Sequence, residues 1–123
     1  MTVDDPALIA AQRDLCAKNG SAFVPPDGDA KVGIALASLG KHPVCGLRSH
    51  PVGDTSGWYI WAGEYSPAND FFESLCVKHL PERCPEALKY LGLAAGFGFL
   101  SDSRGYEEVW FDAARLEREA CDP

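Results

Sequence analysis

The sequence predicts an α+β fold: an antiparallel sheet of four to six strands with two to four helices, built as a single domain. Three observations carry this. A chain of 123 residues, 46% hydrophobic, with three Trp, four Tyr and six Phe, supplies one core. Residues 6–18 repeat apolar side chains at helical spacing between a start and a stop signal. Several short stretches alternate with period two, and nine Pro and 12 Gly punctuate the chain without a repeat.

Asp5-Pro6 reads as an N-cap followed by Pro at the first helical position, where a missing N–H costs nothing. Leu8, Ala11, Gln12, Leu15 and Cys16 then recur at helical spacing until Asn19-Gly20 closes the helix. A short extended segment over 21–24 leads into the Pro25-Pro26-Asp27-Gly28 turn. Val32, Ile34 and Leu36 alternate with Gly33, Ala35 and Ala37, which argues a strand whose second, small-residue face lets a helix pack close. Residues 44–49 and 57–63 are the next two strands, joined as a hairpin across a long turn-rich loop. Trp58, Ile60 and Ala62 share one face of the second, Tyr59 and Trp61 the other, so this strand is expected to be central and covered on both sides. Residues 67–79 start as a loop and become helical, with Phe71, Phe72, Leu75 and Cys76 at helix-compatible spacing, until Pro81 ends the pattern. Cys84-Pro85-Glu86 opens a short helix over 85–91 that Gly92 terminates. Residues 97–101 and 107–112 flank Asp102-Ser103-Arg104-Gly105 as a hairpin, and 113–120 form a terminal helix.

Eighteen Asp and Glu against 11 Lys and Arg give a formal charge of -7, and no basic run occurs. A phosphate backbone or an anionic membrane surface needs clustered cations, so neither nucleic acid nor membrane is an expected partner. The longest purely apolar and Gly stretch, Leu91 to Leu100, is ten residues with three Gly, against about 20 for a bilayer span. Residues 1–5 carry two acids and no cation, unlike a secretory signal, and a cytoplasmic protein is expected. Five Cys in such a chain read as reduced thiols, with Cys16, Cys45 and Cys76 as small buried hydrophobes.

Motifs for nucleophile elbows, phosphate loops, helical zinc proteases, EF-hands and paired Cys knuckles are missing. The Gly-rich 92–98 stretch follows a helix and precedes a strand, the reverse of the order that cradles phosphate. His42-x-x-Cys45 with Cys76-x-x-His79, and Cys84 as an extra, offers the ligand types of tetrahedral zinc. Against it, Cys45 falls within a strand and Cys76 on an apolar helix face. Cys84 stands at a helix N-terminus near His79, where a thiol pKa is lowered, but no third group or oxyanion donor accompanies it. No enzyme, metal or cofactor is expected.

Trp110 is the strongest candidate binding anchor. Glu108, Trp110 and Asp112 lie on one side of the last strand, while Val109 and Phe111 face the core. Trp is enriched at interface hot spots and the acids suit a basic partner. The competing reading buries Trp110 under a helix with the acids at its rim. Arg48, on the Val44 and Gly46 side of its strand, either pairs with a carboxylate such as Glu64 or Asp112 or contacts a ligand.

Gly46-Leu47-Arg48, Thr55 to Glu64 (TSGWYIWAGE), Lys89 to Leu93 (KYLGL) and Gly105 to Asp112 (GYEEVWFD) together resemble the thirty-third family of immunity proteins of bacterial polymorphic toxin systems. The Ser-Gly-Trp, Ala-Gly-Glu and Val-Trp-Phe-Asp elements are its specific part, and the resemblance is strongest over 30–116 of a single domain spanning 1–123. It implies an α+β protein that binds a cognate toxin and blocks it without catalysis. The acidic charge matches a basic toxin. The contrasting expectation is a small-ligand site or enzyme built from Arg48, Glu64 and Asp112. A closed pocket with converging polar groups separates the second from the first.

Overall fold

Helix α1 spans Pro6–Lys18 in the computed structural model, which describes residues 2–66, 68, 70–114 and 116. The Asp5 carboxylate accepts the Ala7 N–H at 3.0 Å and Pro6 occupies the first turn, so the helix start is capped as its residues predict. Leu8, Gln12, Leu15 and Cys16 form the buried side. Gln12 is the polar member of that side, and its Nε2 donates to the Leu88 carbonyl at 2.8 Å. That bond ties α1 to the chain packed beside it.

Six strands, β1 (Lys31–Ile34), β2 (Val44–Arg48), β3 (Thr55–Ala62), β4 (Glu73–Cys76), β5 (Phe97–Ser101) and β6 (Glu107–Phe111), make one sheet in the order β4-β1-β3-β2-β5-β6. Every neighbouring pair is antiparallel except β1 with β3. The chain leaves β1, lays down β2 one place beyond, and returns to fill the gap with β3.

Val32, Ile34, Val44, Trp58, Ile60, Ala62 and Phe99 form the buried inner face. A buried aliphatic or aromatic side chain contributes about 1.5–3 kcal/mol. Above this face lie α1, the short helix α2 (Leu80–Arg83) and a 3-10 helix over Pro85–Tyr90. Tyr90 stacks on Phe99 with centroids 4.1 Å apart, and the Trp58 indole N–H donates to the Leu91 carbonyl at 3.1 Å.

Glycines shape both faces. Gly33, Gly46 and Gly98 are the direct register partners of Tyr59, Phe99 and Trp110. In each pair the ring lies where a Cβ would stand; at Gly33 that Cβ would be 2.7 Å from Tyr59 and at Gly98 2.8 Å from Trp110. The rings thus fill the space their glycine partners leave.

Several expectations are corrected. The first strand ends at Ile34, and Leu36–Ser38 turn as a 3-10 helix. Its small-residue face receives the Tyr59 ring over Gly33, not a helix. Within 67–79 the chain becomes helical only at Val77–His79, a 3-10 helix; ahead of it Glu73–Cys76 form β4, which pairs with the free edge of β1, so its backbone groups are met by the sheet while Leu75 packs on the core. Pro81 starts α2, since the first helical turn needs no N–H from it. β3 is central, but only its inner side is buried; Tyr59 on the outer side is 41% exposed. Phe111 shares the inner side of the sheet with Val109 and pairs with Phe97, but at the end of an edge strand it is not buried: it is 53% exposed. Cys16 and Cys45 are buried as expected, and Cys76 is only partly so. Most of the terminal helix expected over 113–120, and Cys121, lie outside the described residues.

Candidate partner-binding face

The sheet register places one row of outward positions from edge to edge: Ser74, Gly33, Tyr59, Leu47, Gly98 and Trp110 are successive partners. Trp61, Cys45, Leu100 and Glu108 make a second row. At the β3 end the segment after this strand folds over the face, and Tyr59, Trp61, Tyr65, Phe71 and Phe72 join in edge-on contacts, with Tyr59 and Phe72 centroids 5.4 Å apart. At the β6 end Trp110 rests against Gly98 and Leu47 and is 36% exposed. Three strand spacings, about 14 Å, separate Tyr59 from Trp110.

The sequence pointed to Trp110 and missed the aromatic cluster. Alternation along β6 marks Trp110 as facing away from Val109. Tyr65, Phe71 and Phe72 instead lie outside the strands, and the helix-compatible spacing of Phe71 and Phe72 with Leu75 and Cys76 pointed to a helix that does not form there. The available signal was three aromatic residues bunched around a turn with no strand of their own to bury them.

Of the flanking acids, Glu108 is exposed and accepts a hydrogen bond from the Tyr106 hydroxyl, which pushes the Tyr106 pKa up. Asp112 is half-buried and has structural work: its Oδ1 accepts the Ala114 N–H at 3.0 Å and its own N–H donates to the Gly96 carbonyl. Glu64 is exposed just beyond β3.

Arg48 is turned into the core and is only 3% exposed. Its Nε donates to the Ser56 carbonyl at 3.0 Å, and its Nη1 lies 2.6 Å from the Val24 carbonyl and 2.7 Å from that of Leu93. Burial lowers its pKa to about 10, which leaves it charged at neutral pH. The expected pairing with Glu64 or Asp112 is therefore replaced by main-chain carbonyls, whose dipoles hold the guanidinium without a carboxylate. Nor do the three residues converge on a ligand site. Arg48 pairs with Trp58 at one end of the β2–β3 hairpin, whereas Glu64 follows the Val44–Ala62 pair at the other.

The model of the Imm33-like domain matches residues 11–112 of the chain, from within α1 through all six strands. The chain belongs to the Imm33-like family. The match takes in most of α1, ahead of residue 30 where the resemblance began. Searches of the curated proteins and of the solved structures give no match.

In this Imm33-like domain the metal pattern of the sequence is dispersed. Cys45 on β2 and Cys76 on β4 have β3 and β1 between them. No group of three or more His, Cys, Asp or Glu comes together among the described residues. Cys84 is buried, and that burial, with Glu86 beside it, pushes its thiol up to about 11. This is the opposite of what an activated nucleophile needs. No helix among the described residues is long and apolar enough to cross a membrane.

Proposed function

We propose that this Imm33-like domain is a cytoplasmic, non-enzymatic immunity protein that binds a cognate basic toxin and blocks it through the outer face of its sheet. The single observation that carries the reading is the half-exposed Trp110, whose indole lies over Gly98 on a sheet face that presents aromatic rings at both ends. Large rigid rings standing clear of the core are what interface anchors are made of. Burying Trp110 against a partner costs little ordering, because Gly98 and Leu47 already hold the indole. Glu108 beside it supplies charge for a basic surface.

The test is binding to the toxin encoded beside the gene, followed by calorimetry with wild type and Trp110→Ala. The variant is expected to lose about 2 kcal/mol or more of binding energy with its melting temperature unchanged. Unaltered affinity would remove Trp110 from the interface. Failure of wild type to bind or to protect against that toxin would remove the immunity reading.

A further inference from the structure

We propose that the aromatic cluster formed by Tyr59, Trp61, Tyr65, Phe71 and Phe72 is a recognition site for cationic side chains, and that it seats arginine or lysine residues of the toxin. The inference rests on the immunity reading for the identity of the partner, but its chemistry stands on the cluster itself.

The ring geometry comes first. Tyr59 meets Phe72 at 71°, Trp61 meets Tyr65 at 70° and Tyr65 meets Phe71 at 75°. Edge-on contacts are the ordinary packing of aromatic side chains; the face of a ring left open to solvent is what attracts a cation. Tyr65 is 59% exposed, so its ring opens to solvent.

Charge supplies the second observation. Between Arg48 and Lys78 the chain has no Lys or Arg, and carries Asp54, Glu64, Asp70 and Glu73. Glu64, Asp70 and Glu73 interleave with the rings of the cluster in sequence, and none of the three is in an ion pair among the described residues. Two lysines border the cluster: Lys31 lines the hollow beside Tyr59, Phe72 and Glu73 with its Nζ 3.1 Å from the Cys76 sulfur, and the Lys41 stem runs along Gly63, so the three carboxylates outnumber the cations beside the rings. Exposed rings with unpaired carboxylates around them favour a cation that can use both, and arginine does so best, because its planar guanidinium stacks on a ring while donating to a carboxylate.

The experiment uses the full chain and two short peptides, tri-arginine and its uncharged isostere tri-citrulline, at low salt. Binding is followed by Trp fluorescence and by amide chemical shifts. Tri-arginine is expected to bind at least about tenfold more tightly than tri-citrulline, with shifts centred on residues 59–73. Tyr65→Leu, at an exposed ring, and the triple variant Glu64→Gln, Asp70→Asn, Glu73→Gln should each abolish the preference while keeping the melting temperature. Equal binding of the two peptides, shifts centred elsewhere, or a preference that survives both variants would overturn the proposal. Toxin binding separates the two readings. A toxin that binds wild type and the triple variant equally sinks the cluster and spares the immunity role. An arginine preference in a protein that no neighbouring toxin binds does the reverse.

Discussion

Two kinds of residue carry structure that their type conceals. Gly46 and Gly98 each lie beneath an aromatic partner, but Phe99 is fully buried whereas Trp110 is half-exposed. Gly46→Ala should therefore destabilise the fold by about 1–3 kcal/mol through overpacking. Gly98→Ala should cost less, because Trp110 can swing into water; urea denaturation reads the first effect, and greater quenching of Trp fluorescence by acrylamide the second. Arg48 is the other kind. It draws the 21–24 segment, the start of β3 and the 91–93 loop onto one guanidinium. Arg48→Lys keeps the charge and loses the planar fork, so it should lower unfolding free energy by about 2 kcal/mol or more in urea titration. No pattern in the sequence distinguishes such an arginine from one on a surface, because its acceptors are carbonyls that every residue possesses.

Between elements, a polar tie fastens β6 to the 3-10 helix ahead of β5. The Lys89 ammonium stands 2.7 Å from Glu107 Oε1, and the Tyr90 hydroxyl donates to the same oxygen at 2.6 Å. Both bonds favour the carboxylate and hold Glu107 below the ordinary carboxylate range, Lys89 first and Tyr90 second. Since the folded pKa is depressed, the tie contributes fully above the unfolded value of about 4.3 and is lost as pH falls through the folded one. Glu107→Gln should cost about 1 kcal/mol at pH 7, and the gap from wild type in thermal melts should close as pH drops below about 4. An opposite result, a gap that widens in acid, would mean that Glu107 is not the group held by this tie. The hairpin carrying Glu107 was legible from its turn and alternation. β4 was not, because four residues give too short a run to tell strand from helix until β1 offers them a free edge.

For the molecule as a whole, the two faces of the sheet have different tasks. Helices and Trp58, Phe99 and Tyr90 consolidate the inner face, while the outer face keeps Tyr59, Tyr65 and Trp110 accessible. A net charge of -7 acts at longer range than any of these contacts, and in the proposed immunity role it steers a basic toxin toward the protein. Glu108→Lys should mainly slow association with the toxin, and the effect should fade as salt shortens the screening length from about 10 Å at 0.1 M to about 3 Å at 1 M. Stopped-flow measurement across a salt series checks this; a deficit confined to dissociation would assign Glu108 a direct contact instead.

The sequence by itself determined α1 with its cap, the β2–β3 and β5–β6 hairpins, the α+β class and the outward side of Trp110. Each of these follows from short-range rules: residue spacing, turn chemistry and the alternation of strand side chains. Only the tertiary structure decided that β1 lies parallel to β3, that residues 73–76 form an edge strand, that Arg48 is a core residue and that five rings gather on the outer face. Those features depend on which distant backbone groups and side chains meet. Strand order and packing settle such meetings, and local spacing along the chain carries no record of them.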